Sequence, residues 1–158
     1  MQVFIVGNIF ETVKALDKKR RRKQWIEIQQ IIDAINGKLA WKNHPCTLQY
    51  KKHAYWLILY RTVIEFINMD MFESAENVSE VADLYRPPFH TQEYFDQMKR
   101  RLYSKDNNHY RQWAHLGESQ ENWYFVDGEW RVYINGKRII LTDDEMEQRF
   151  AAKHCEKI

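Results

Sequence analysis

The stretch Leu16 to Gly37, LDKKRRRKQWIEIQQIIDAING, leaves this chain little choice of architecture. At helical spacing Trp25, Ile28, Ile31, Ile32 and Ile35 share one arc, with Lys18, Arg22, Gln29 and Asp33 opposite. A stripe of that kind must be buried, so the segment is a helix that faces a core built by other elements. Asp17 supplies an N-cap, and Asn36-Gly37 a C-terminal stop. Glu27 stands at the rim of the apolar arc, in line with Arg20, Lys23 and Ala34. A carboxylate there is partly desolvated beside fixed positive charge. Two roles fit it: an intrahelical pair with Lys23 at i, i+4, worth a few tenths of a kcal/mol, or an acid/base group.

The rest of the composition supports one folded unit of this kind. The 158 residues are 44% hydrophobic and 15% aromatic, which excludes a disordered chain and allows one domain with a real core. The net charge of +2 conceals an asymmetry: residues 1–61 hold 12 Lys/Arg against 4 Asp/Glu, and residues 62–158 hold 12 against 18. A basic face of that strength suits a polyanion, although a run such as Lys18 to Lys23 also serves as an import-like signal or a solvated surface. Two cysteines, Cys46 and Cys155, form neither a disulfide framework nor a metal-type spacing. With no long apolar run and no signal-peptide pattern, a soluble, cytoplasmic protein in a reducing compartment is expected. Ser-His-Asp sets, P-loops and GxGxxG are absent, and no metal or cofactor is expected.

Along the chain, Asn8 and Glu11 open a short helix over Ile9 to Leu16. Pro45 opens a second long helix, which apolar steps at Leu48, Tyr55, Leu59, Val63 and Phe66 carry from Cys46 to about Met69. Residues 71–85 read as a helix capped near Ser74 with Val78, Val81 and Leu84 or Tyr85 inward, ended by Arg86-Pro87-Pro88-Phe89. Thr91 starts another, to about Tyr103, and a helical turn over Asn108 to Ala114 ends at Gly117. The tail changes period: WYFV, EWRVYI and KRIIL alternate around Asp127-Gly128 and Asn135-Gly136, the dipeptides of type I′ turns. Residues 122–141 are therefore a three-stranded meander, and Thr142 with Glu145 boxes a last helix over Asp143 to Lys153. The expectation is a mainly α fold: a compact helical domain over 1–120, with a β-meander plus helix over 121–158 packed on it as an appendage.

Leu16, Asp17, Lys19, Arg20, Lys23, Gln24, Glu27, Gln30 and Ile31 meet the pattern LD-x-KR-x-x-KQ-x-x-E-x-x-QI. Together with NHP at 43–45, an aromatic helix bearing Tyr60, PPF at 87–89 and KDNNHY at 105–110, they resemble the pyrimidine-dimer DNA glycosylase (phage endonuclease V-like) family over roughly residues 1–115. The resemblance implies a helical, monomeric protein that binds double-stranded DNA and combines glycosylase with abasic-site (AP) lyase activity without a metal. It implies attack of the N-terminal amine, here that of Met1, on C1′ of a damaged or modified pyrimidine nucleotide, with Glu27 as acid/base and Arg20 beside it. The large Gln2 keeps Met1 in place, where the family exposes a smaller residue. Ile26 and Gln30 stand where the family flanks its glutamate with arginines. Phe89 replaces a tryptophan, and Tyr94, Phe95, Met98 and Lys99 replace a histidine-rich segment.

For DNA contacts the resemblance and the charge pattern nominate Lys18, Lys19, Arg21, Arg22, Lys23, Gln24, His44, Lys99, Arg100, Lys105 and His109. His44 also fits a helix cap, and Trp41 and Trp113 fit packing as well as stacking on a base. The alternative function is a non-catalytic DNA-binding module using the Lys18 to Lys23 face. The enzymatic reading requires Glu27 to be shielded from bulk water and the chain start to lie beside it.

Overall fold

A computed structural model describes the backbone of residues 1–156 and the side chains of residues 1–149. In chain order these residues form α1 (Ile9–Ala15), α2 (Lys18–Ile35), α3 (Pro45–Tyr50), α4 (Ala54–Asn68), α5 (Phe72–Asp83) and α6 (Gln92–Lys105). A 3-10 turn over Arg111–Leu116 then leads into strands β1 (Asn122–Val126), β2 (Glu129–Ile134) and β3 (Lys137–Leu141), and α7 (Asp143–Glu156) follows. The fold is mainly α with a C-terminal antiparallel meander and terminal helix, as the sequence leads one to expect. No helix among the described residues is long and apolar enough to cross a membrane.

The local signals act as expected at most ends. Asn8 Oδ1 accepts from Glu11 N at 2.8 Å, Thr91 caps α6 through Tyr94 N, and Thr142 Oγ1 accepts from Glu145 N at 3.2 Å. Asp127, Gly128, Asn135 and Gly136 all have positive φ, which is what type I′ turns demand, and the strands pair β1-β2-β3 from Val126 opposite Glu129 to Ile134 opposite Lys137. Ile28 and Ile31 of α2 are fully buried against α4 and the chain start. Asp17 occupies the N-cap position of α2, and its carboxylate accepts from the Tyr110 hydroxyl, which ties the start of α2 to the segment after α6.

Two expectations are corrected. The helix expected over Cys46 to Met69 is two helices, broken by a turn at Lys51–His53. The break is silent in the spacing because residues before and after it keep one helical phase. The buried arc is Cys46, Gln49 and Tyr50 with Leu57, Tyr60 and Ile64, opposite the expected steps at Leu48, Tyr55, Leu59 and Phe66, of which Tyr55 is half-exposed. The break folds the Tyr50 ring flat on Trp56, centroids 5.6 Å apart. The second correction concerns α5, which starts at Phe72 without a side-chain cap and turns Ala75, Ser79 and Ala82 inward. Val81 and Leu84 are exposed. Small residues on the inner face let α5 lie close on α4, so backbone approach, not side-chain hydrophobicity, selects that face.

The meander shares the core of the helices. Trp123, Val126, Trp130 and Val132 are buried in it, and Gln49 of α3 accepts from Phe125 N while donating to the Tyr94 hydroxyl. This packing brings β1 to the start of the chain.

Candidate active site

Residues 2–6 belong to no helix or strand, so their buried backbone groups need side-chain partners. Val3, Phe4 and Ile5 are at most 2% exposed. Phe4 N donates to Gln24 Oε1 at 2.6 Å, and Gln24 Nε2 donates to the Gln2 carbonyl at 2.9 Å. The Tyr60 hydroxyl donates to the Phe4 carbonyl, and Val6 N donates to Thr12 Oγ1 at 3.0 Å. Together these bonds thread the chain start through the core along α2. It emerges at Glu27, whose Oε2 accepts from Gln2 N at 3.4 Å.

Met1, Gln2, Phe4 and Glu27 line a cleft of about 100 Å³ with Arg20 and Lys23 of α2, Arg101 and Lys105 of α6, and Asn122 and Tyr124 of β1. Arg20, Lys23 and Glu27 share it because steps of three and four residues return to one helical face. The Arg20 guanidinium lies over the Phe4 ring, 5.7 Å from its centroid. Partial burial pushes the Lys105 amine down to about 8, and the charges of Arg101, Arg20 and Lys23 push the same way, with Glu27 opposing. The Tyr124 hydroxyl donates to the Met1 carbonyl at 3.0 Å, so the meander closes the cleft over the chain start. Cys46 packs nearby, but burial, with Glu27 adding to it, pushes its thiol up to about 12, which leaves no thiolate nucleophile.

An unbroken run of cations on a helix cannot share a face, and Lys18 to Lys23 divides accordingly. Arg20 and Lys23 enter the cleft. Arg21 turns to the end of α1, where its Nε donates to the Val13 carbonyl at 3.2 Å. Arg22 lies on another face beside Trp25, Ile26 and Met69, and Lys18 and Lys19 are exposed. Gln24, expected as a DNA contact, is fully buried, and both ends of its amide hold the chain start; nothing of it is left to reach a ligand.

His44 caps α3, its Nδ1 accepting from Cys46 N at 3.1 Å, and burial followed by the charge of the chain start pushes its imidazole below the usual range. Lys99 pairs with Asp96 at 3.8 Å, Arg100 Nε donates to the Leu116 carbonyl at 3.0 Å, and His109 Nε2 lies 3.0 Å from the Ala15 carbonyl. These three therefore hold local structure, whereas Lys105 reaches the cleft.

Residues 1–64 match the family model described as pyrimidine dimer DNA glycosylase. The comparison with curated proteins and the comparison with solved structures each return no match. The stretch that matches the glycosylase family carries the threaded chain start, Arg20, Lys23 and Glu27, and it ends within α4. Arg101, Lys105, Asn122 and Tyr124 complete the cleft from outside it. Arg101 and the two β1 residues escaped the sequence nomination. Arg101 had a signal, four residues before Lys105 on one helix face, but Asn122 and Tyr124 had none, because only the packing of the meander brings them to Glu27.

Proposed function

We propose that the protein is a DNA glycosylase with abasic-site lyase activity that excises a damaged or modified pyrimidine from double-stranded DNA. One observation carries this: the chain start is led through the core to a half-buried carboxylate inside a cation-walled cleft. The family match over the same residues supports glycosylase function in general. The cations, with Lys18 and Lys19 nearby on the surface, suit the phosphates that flank a target nucleotide.

In this reading the target nucleotide leaves the helix stack, and the Met1 amine attacks its C1′. The N-glycosidic bond breaks, and the base departs with its bonding electrons and gains a proton. Glu27 takes the proton that the amine loses; the nitrogen lone pair then breaks the C1′–O4′ bond, O4′ receives that proton from Glu27, and the iminium forms on the opened sugar. The same carboxylate then relays the C2′ proton while the C3′–O bond breaks and the 3′ phosphate leaves. Lys105 is a second amine in the cleft, and its lowered pKa gives it a neutral fraction that an ordinary lysine lacks.

The test is borohydride trapping on a duplex with one abasic site, using protein whose intact mass shows Met1 retained and unblocked. A covalent adduct that disappears when the terminus is acetylated, and strand cleavage that disappears in Glu27→Gln with DNA binding kept, are the expected results. Tight binding with neither adduct nor strand breaks would make the protein a DNA-binding module.

A further inference from the structure

The Glu27 cleft, at about 100 Å³ and walled mainly by charged side chains, suits the sugar-phosphate end of a nucleotide better than an uncharged base. A base broken from C1′ beside Met1 needs another space. A second cleft of about 660 Å³ adjoins the first and shares Met1, Asn122 and Tyr124 with it. Its further walls are His44 and Pro45 at the start of α3, Gln120, and Tyr133, Asn135 and Gly136 of the meander.

The two clefts differ in character as the two ends of a nucleotide do. The first is walled by four cations, and the second has no Lys, Arg, Asp or Glu side chain. In the second, aromatic rings stand edge to face, His44 to Tyr124 at 5.9 Å and Tyr124 to Tyr133 at 5.7 Å. Trp41, half-exposed and held at a positive φ of 65°, leans on His44 at 5.7 Å. Arg101 occupies the carbonyl oxygens of Gln120 and Asn122, each at 3.0 Å, which leaves their NH2 groups as donors. Met1 stands at the boundary, where C1′ stands between phosphate and base.

We infer that this second cleft seats the extruded base, and that it takes an uncharged, carbonyl-bearing pyrimidine with a bulky neutral substituent at C5. The inference rests on the proposed glycosylase reading. Carboxamide donors answer the O2 and O4 acceptors of a uracil-type ring, and the aromatic walls cover its faces. The cleft lies within the range of small-molecule sites, roughly 300–1,000 Å³, well beyond what a bare pyrimidine fills. With no charged side chain in the lining, a charged substituent reaching past Met1 would lose hydration without gaining a side-chain partner.

The probe is a duplex carrying 5-(furan-2-yl)-2′-deoxyuridine, a fluorescent 5-substituted uracil that brightens on unstacking, opposite a tetrahydrofuran abasic analogue. Saturating wild-type protein should raise its emission at least about twofold as the base leaves the stack. Tyr133→Ala, and separately Asn135→Asp, which keeps a residue suited to the turn as Asp127 does in the first hairpin, should each remove about half of that rise or more at equal occupancy by anisotropy. No rise with the wild type, or the same rise in Asn135→Asp, overturns the assignment. Trapping on a natural abasic site needs no seated base: loss of the adduct with the emission change intact removes the N-terminal chemistry and leaves the seat.

Discussion

The chain start and the C-terminal meander reach the same cleft and are held there by different forces. Residues 2–6 are fixed by directional bonds from Gln24, Tyr60, Thr12 and Glu27 to individual backbone atoms. The meander is held mainly by area, through Trp123, Val126, Trp130 and Val132 in the shared core, with polar bonds to β1 from Gln49, Arg101 and the Met1 carbonyl at its margin. Directional bonds fix the backbone from Gln2 to Val6, and with it the direction from which the Met1 amine enters the cleft, which the proposed attack needs. Apolar area sets a wall that tolerates small shifts, which suffices for enclosing a base. The difference teaches that disturbing the first anchor should damage chemistry as well as stability, and disturbing the second should damage stability ahead of chemistry.

The most severe break in that contrast is Glu27→Gln, which keeps shape and removes the acid. Turnover on abasic or substrate DNA should fall by about 10²–10⁴-fold while DNA affinity stays within a few-fold, read by strand cleavage and anisotropy. On the meander side, Trp130→Ala removes a ring that touches Trp123 and Phe125 and whose Nε1 donates to Asp143 at 2.8 Å. It should cost about 3–5 kcal/mol in chemical denaturation, with the folded fraction still forming adduct. Gln24→Leu probes the first anchor: it strands the Phe4 N–H and the Gln2 carbonyl, at a cost of about 1–3 kcal/mol for each. Its trapping rate should fall by more than its affinity does. A folded fraction that traps as fast as the wild type would mean that the first anchor, like the second, acts on stability alone.

Most of the fold was legible because its signals are local. Asn8, Thr91 and Thr142 cap where their sequence neighbours indicate, and the two dipeptides Asp127-Gly128 and Asn135-Gly136 specify the meander. The turn at Lys51–His53 was hidden because both helices keep one apolar phase, and the inner face of α5 because Ala75, Ser79 and Ala82 are chosen for smallness. In the site, the line Arg20, Lys23, Glu27 was visible as helical spacing. Gln24 looked like a surface polar residue and is a buried clamp, since spacing reports a residue's face and not what that face meets. Asn122 and Tyr124 are more than ninety residues from Glu27 in sequence, so no periodicity could join them.

Smaller effects sharpen the same contrast. His90 is buried, its Nε2 2.8 Å from the Tyr50 hydroxyl, and its ring stacks on Tyr94. Burial first, then the charges of Arg86 and His53, push its imidazole well below the usual range. The unfolded chain takes up a proton near pH 6.5 that the folded chain refuses, so stability is fully present above about 6.5 and is lost as pH falls below it. The melting temperature should drop between pH 7 and pH 5, less steeply in His90→Asn. Smallest of all, Arg20→Ala and Lys23→Ala should each lower the slope of log affinity against log salt by about 1. Arg21→Ala, whose guanidinium is engaged at α1, should leave that slope nearly unchanged.

The most direct measurement is to trap the protein with borohydride on abasic-site DNA, digest the complex and find the adduct by mass spectrometry. The account predicts the sugar remnant on the α-amine of the peptide that begins at Met1. An adduct on Lys105 would move the chemistry across the cleft, and full binding with no adduct anywhere would contradict the role given to the buried chain start.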